Sequence, residues 1–156
     1  MTPQIGHYTI DTAVIAFRTR HLFGLGAVNG TFALRAGTVD VTEPVASSHA
    51  HVEIDAGSFH TGNPQRDAGV RSSVFLDADR HPVIALDLDG NLTGTLTVRG
   101  VSAPITLELQ SWMAVPSGFS VRATARVDRV ALGVRAKPGL AARHLYFTVE
   151  ATCLRS

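Results

Sequence analysis

The residues "HAHVE" place His49, His51 and Glu53 two apart, with His60 following within reach. On a β-strand such alternate residues share one face, and imidazole with carboxylate is a donor set that suits a transition metal. The interleaved residues Ala50, Val52 and Ile54 are the apolar set of the same strand. They turn the histidines toward solvent, where the enclosed surroundings that orient metal ligands are missing. A metal-dependent enzyme using His49, His51 and Glu53 therefore stands behind another alternative, a ligand-free dimeric β-barrel acting as a protein-interaction module, and a chain without metal or cofactor is the expectation. Other catalytic signatures are absent from the sequence. There is no G-x-S-x-G elbow and no Gly-rich phosphate loop before a helix, and Cys153 lies near a strand end without an evident base. Asp87 and Asp89 alternate beside a turn, as exposed carboxylates do. The chain is read as a non-enzyme.

A second group lies in "NPQRDAGVRS" at 63–72. Asn63 is a good helix N-cap and Pro64 suits the first helical position, where its missing N–H would be unpaired anyway. Asp67 and Arg71 stand four apart, so their side chains can meet on one helix face. Arg66 and Arg71 could instead grip a carboxylate or phosphate head group, since a guanidinium holds either through two hydrogen bonds. Both uses remain open at this stage. Trp112 with Met113 is expected to begin a loop over 112–118, covering a mouth of the fold or marking a homodimer contact.

The elements that must carry these residues are strands. Period-two alternation places Ala13, Ile15, Phe17 and Thr19 on one face, and Val28, Gly30, Phe32 and Leu34 on another. An interior Gly30 predicts a tight bend or a close approach to the sheet. Further strands are expected at "GTVDV", "SSHAHVEID", "HPVIALDL", "LTGTLTVRG", "APITLELQS", "FSVRATARV" and "HLYFTVEAT", separated by "RAG", "DGN", "RGVSAP" and "VPSG". About nine strands with short connections predict an all-β fold. It is an antiparallel barrel over 1–156 as a single domain, closed to dispose of its edges, with one short helix at 63–72.

Composition bounds the function. The chain has 156 residues, 45% of them apolar and 17% charged, and a formal net charge of +1. That balance gives no footprint for nucleic acid, and no apolar run approaches the roughly 20 residues that span a bilayer. One cysteine allows no internal disulfide, and the N-terminus reads without a signal peptide, so a cytoplasmic location is expected.

With each apolar set turned inward, the lining comprises Ile15, Phe17, Val28, Phe32, Val52, Ile54, Leu86, Leu96, Val98, Leu107, Phe119 and Val121. The same residues would serve a filled core or a cavity. Small inward residues such as Ala13, Ala50, Gly94, Ala123 and Ala125 favour space.

In order and spacing, "HYTID", "VNGTF", "SFHTGNPQRDAGVRSSVFLD", "LTGTLTVRGVSAPITLEL" and "DRVALGV" resemble the YceI-like family. Thr12 and Ala13 depart from its pattern, as does Val74 before Phe75. The resemblance implies a lipocalin-like barrel that carries a polyisoprenoid, quinone or fatty-acyl compound. The ligand is the expected partner, with a homodimer as a further one. It also implies that residues 63–72 belong to the family's hallmark. His21 and Phe75, close in sequence to the expected rim positions, are additional candidates for the head-group site.

Overall fold

The computed structural model describes residues 3–20, 26–136 and 142–156. Nine strands form one antiparallel sheet: β1 Gly6–Thr19, β2 Val28–Val41, β3 His49–His60, β4 Val83–Asp89, β5 Thr93–Val98, β6 Val101–Thr106, β7 Glu108–Val115, β8 Gly118–Asp128 and β9 His144–Arg155. The helix α1, Pro64–Arg71, joins β3 to β4. Spatial order is β6-β5-β4-β3-β2-β1-β9-β8-β7. The two edges, β6 and β7, are separated in the chain by Leu107 alone. The sheet must therefore curl until its edges meet at that residue, and the all-β antiparallel fold expected from the alternation is observed as a curled half-barrel in which the edge strands β6 and β7 are not paired with each other. No helix of the described residues is long and apolar enough to cross a membrane.

Three element boundaries differ from the sequence reading. "AVNGTFAL" and "GTVDV" form one strand, β2, because the "RAG" between them is absorbed as an irregularity opposite β3 between Leu34 and Ala36. "APITLELQS" divides at Leu107, pairing with β5 before that residue and with β8 after it. Trp112 does not begin a loop. It sits in β7 opposite Val121, half-buried against the cluster of Tyr8, Ile10, Val41, Phe119 and Cys153. The strand continues to Val115 before it turns.

The core follows the period-two pattern. Ile15, Phe17 and Thr19 are buried on β1, as are Val28, Gly30 and Phe32 on β2. Between the pairs Thr31↔His60 and Ala33↔Asp55 the β3 strand carries surplus residues, and this bulge turns Ala56 and Phe59 into the core. Its hydrogen bonds stay local. Ala33 N donates to Ser58 Oγ (2.7 Å), Ser58 Oγ to the Asp55 carbonyl (2.5 Å), and Gly57 N to Asp55 Oδ1 (3.0 Å). Phe59 then stacks on Phe17 at 5.2 Å, with Phe32 and Phe147 at 5.8 Å from Phe17. Such aromatic contacts contribute about 0.5–1.5 kcal/mol each beyond area burial. The close approach foreseen at Gly30 is this layer. A side chain there would run into the Phe17 ring and the His60 carbonyl oxygen.

α1 is capped as its sequence requires, Asn63 accepting from Arg66 N at 3.0 Å. Asp67 is 2% exposed and does not pair directly with Arg71. Its carboxylate accepts from Thr61 N (3.1 and 3.0 Å) and Thr61 Oγ1, while Arg71 Nε donates to the Phe59 carbonyl (3.0 Å). Both side chains reach back to the end of β3, whose terminal backbone groups would otherwise be buried without partners. Burial pushes the Asp67 carboxyl up, but the Thr61 hydrogen bonds and the Arg71 charge outweigh it and hold it below the ordinary value.

At the end of β8, Asp128 accepts from Val130 N (3.0 Å) and from Arg143 Nε (2.9 Å), and Arg143 Nη2 lies 2.8 Å away. The Arg143 hydrogen bond, against some opposition from burial, brings the Asp128 carboxyl from 3.8 down to about 2.

Two outcomes are expected. Gly30→Ala should lower stability by about 1–3 kcal/mol, the usual range for overpacking, read by urea denaturation; an unchanged midpoint would mean that the Phe17 ring moves freely. Because the folded Asp128 pKa is depressed, its contribution is full above pH 3.8 and is lost as pH falls through about 2. Asp128→Asn should therefore be less stable than the parent at neutral pH, and the gap should close between those values in acid melts.

Candidate functional site

The barrel interior holds two chambers in series. The upper, of about 140 Å³, lies beneath Val70 of α1, Phe75, Leu76 and the residues Leu132 and Val134 of the segment after β8. The lower, of about 150 Å³, is bounded by Ile10, Val39, Val41, Leu88, Phe119 and Val121, among others. Ile15, Ile54, Leu86, Leu107 and Val149 line both and form the waist between them. Every residue lining the upper chamber is apolar except Thr19 and Arg129. Apolar voids of this size stay dry and accept apolar molecules.

Of the residues expected to line the interior, Ile15, Phe32, Leu86, Leu96, Val98 and Leu107 border the upper chamber, together with the rim candidate Phe75. Phe119 borders the lower one. Phe17 and Val28 are buried but line neither chamber; they pack behind the wall in the main core cluster. Arg66 and Arg71 also line neither. Arg66 Nε donates to Thr61 Oγ1 (2.9 Å), and Arg71 donates to the Phe59 carbonyl. The structure thus brings both arginines to the joint between β3 and α1. His21 lies outside the described residues.

Arg129 was missed by the sequence reading. It is 8% exposed and borders the upper chamber. Its Nε donates to the Ala142 carbonyl (2.9 Å) and its Nη1 to the carbonyls of Val134 (2.7 Å) and Ala136 (2.9 Å), with the guanidinium 5.8 Å from the Phe75 ring centre. Burial lowers its pKa from the ordinary value, opposed by the neighbouring Asp128 charge. Arg99 Nη1 holds the Phe75 carbonyl at 2.9 Å, so the roof is tied from two sides. Nothing in "RVDRVAL" distinguishes the arginine that turns inward. Thr19, whose hydroxyl donates to the His144 carbonyl (3.3 Å), is the other polar wall residue.

The histidines lie on the outside. His51 Nδ1 is 2.7 Å from Asp87 and its Nε2 3.1 Å from Glu53, while His49 is 3.7 Å from Asp87. Hydrogen bonding to Asp87 first, and to Glu53, raises the His51 pKa. Among the described residues no group of three His, Cys, Asp or Glu side chains is placed to hold a metal ion. Cys153 is buried, and burial pushes its thiol up to about 11.

The model of the YceI-like domain matches residues 8–152. A UPF0312 protein of Vibrio parahaemolyticus is 32% identical over 69% of this chain, and protein YceI of Escherichia coli is 35% identical over 65%. These matches span 64% and 59% of the respective relatives. Among solved structures, a polyisoprenoid binding domain from Saccharophagus degradans implicated in plant cell wall breakdown superposes with a TM-score of 0.75 over 98% of this chain and 100% of that one, at 13% identity. Burkholderia cenocepacia BcnA gives 0.67 over 90% and 95%, at 17% identity. At those identities the structural likeness speaks for the fold, while the family match covers nearly the whole sequence. This chain belongs to the YceI-like domain family.

Proposed function

We propose that the protein binds a long apolar chain, of the polyprenyl, quinone-tail or acyl kind, inside the barrel and carries it without chemical change. One observation carries this reading: two apolar chambers meet end to end at a waist, giving an elongated path through the barrel. Its shape suits a linear tail better than a compact ring system. Each methylene moved from water into such a path contributes about 0.8 kcal/mol, so affinity grows with tail length. The polyisoprenoid-binding description of the Saccharophagus degradans domain supports the same ligand class.

In this reading Ile15, Phe32, Leu86, Leu96, Val98, Leu107 and Phe119 contact the tail, and Phe17 and Val28 support the wall. The polar end of the ligand lies at the α1 end of the barrel, where Arg129 and Thr19 supply the polar wall atoms of the upper chamber. Arg66 and Arg71 set α1 over that end through Thr61 and Phe59 rather than gripping the head group.

The direct test is native mass spectrometry of the purified protein, with organic extraction and identification of what is released. An isoprenoid or acyl compound is expected. Protein that is empty and refuses added quinones and prenyl phosphates would sink the reading. A variant separates cavity from core: Ala125 borders the upper chamber, and Ala125→Phe should fill it. Displacing about two to three methylenes of ligand should weaken uptake by roughly tenfold or more while thermal stability is retained. A folded variant with undiminished uptake would place the ligand elsewhere.

A further inference from the structure

The net charge of +1 conceals an uneven distribution along the barrel axis. At the α1 end, Arg18 lies near the end of β1 and Arg20 just beyond it, Arg80 lies in the turn before β4, and Arg135 follows the roof residue Val134. All four are exposed, and none has a carboxylate within ion-pair distance among the described residues. Arg66, Arg71 and Arg99, half-buried at the same end, donate to the neutral groups of Thr61, Phe59 and Phe75 and form no salt bridge with a carboxylate among the described residues. The carboxylates nearby offset part of this: Asp67 and Asp77 are buried beneath the surface, Asp79 is exposed beside Arg80, and Asp128 is taken by Arg143, so the seven arginines still outnumber Asp67, Asp77 and Asp79. The opposite end carries Asp40, Glu43 and Asp89, with Arg155 as its arginine.

Apolar side chains stand among the basic ones. Val74 after α1, Val101 at the start of β6 and Tyr146 near the start of β9 are 48%, 40% and 39% exposed. Arginines holding phosphates through paired hydrogen bonds, beside an amphipathic tyrosine and short aliphatic groups, are what an interface of anionic head groups over hydrocarbon accommodates.

We infer that the α1 end of the barrel is a docking surface for an anionic lipid bilayer, placing the upper chamber against the membrane. The charge placement carries this inference; its use, exchange of a lipid-like ligand with the bilayer, rests on the binding function proposed above. An acidic protein would meet the same arginines but would not call for the exposed Val74, Val101 and Tyr146.

The test is co-sedimentation of the whole protein with vesicles of phosphatidylglycerol and phosphatidylcholine, or of phosphatidylcholine alone, at low and high salt. Binding to the anionic vesicles is expected, weakening steeply as salt rises. Each arginine near the surface should be worth about fivefold in partitioning, so the triple variant Arg18→Gln, Arg80→Gln, Arg135→Gln should lose on the order of a hundredfold. The control Arg35→Gln, Arg122→Gln changes arginines at mid-barrel and should bind as the parent does. Equal binding to both vesicle types, an unaffected triple variant, or no vesicle binding by a folded parent would each overturn the inference. If vesicles are not bound while quinone uptake into detergent-free protein persists, the docking surface fails and the binding function stands; loss of uptake with vesicle binding intact gives the reverse.

Discussion

One residue, Leu107, stands between two strands that occupy opposite edges of a nine-stranded sheet. The rest of the architecture depends on that constraint. β6 and β7 make a single run of chain whose first half pairs with β5 and whose second half pairs with β8, so closure is built into the covalent path. Curling the sheet this far turns one face of the strands inward, enclosing it most fully away from the edges β6 and β7, and alternation then decides what is inside. Because the strands supply aliphatic and small residues to that face, the enclosed volume is apolar and incompletely filled. Leu107 itself lines both chambers, and its N–H donates to the Leu92 carbonyl (2.8 Å), which fixes the bend.

The α1 insert interrupts this sheet, and a buried ion reconciles the two. A carboxylate removed from water is costly unless it is fully hydrogen-bonded. Asp67 meets that condition through Thr61, and Thr61 in turn receives Arg66. The polar residues of the 63–72 segment thereby satisfy one another and the end of β3, leaving its apolar side, Val70, to roof the upper chamber. A charged segment and a dry cavity can share a boundary because the charges are directed along the joint rather than into the interior.

Much of this was legible beforehand. Alternation identified the inward faces of β1 and β2, the helix signals located α1, and the family resemblance was carried by segments spread along the chain. The expected number of strands agreed with the observed one for a compensating reason: β2 joined two expected strands, and β6 with β7 divided one. A Gly such as Gly37 marks a turn in local terms, but flanking strands on both sides kept "RAG" in the ladder. Leu107 gave no local signal, because a strand that changes partners without reversing has the same alternation as one that does not. Burial of Arg129 was equally silent. Its partners are carbonyls of residues 134, 136 and 142, which only the folded chain end brings around it. Formal net charge likewise hid an axial separation that depends on where strands begin and end.

Cys153 shows how a compositional clue can lose its meaning once its surroundings are known. A lone cysteine invites a reading about redox conditions, because an accessible thiol would be oxidised, cross-linked or alkylated where oxidants prevail. Here the sulfur is packed with Tyr8, Ile10 and Phe119, and its pKa of about 11 leaves almost no thiolate at neutral pH. Nucleophilic attack needs the thiolate. In the folded chain the thiol is thus shielded by packing and by its lack of thiolate, so the presence of one cysteine carries no inference about the redox conditions the protein meets.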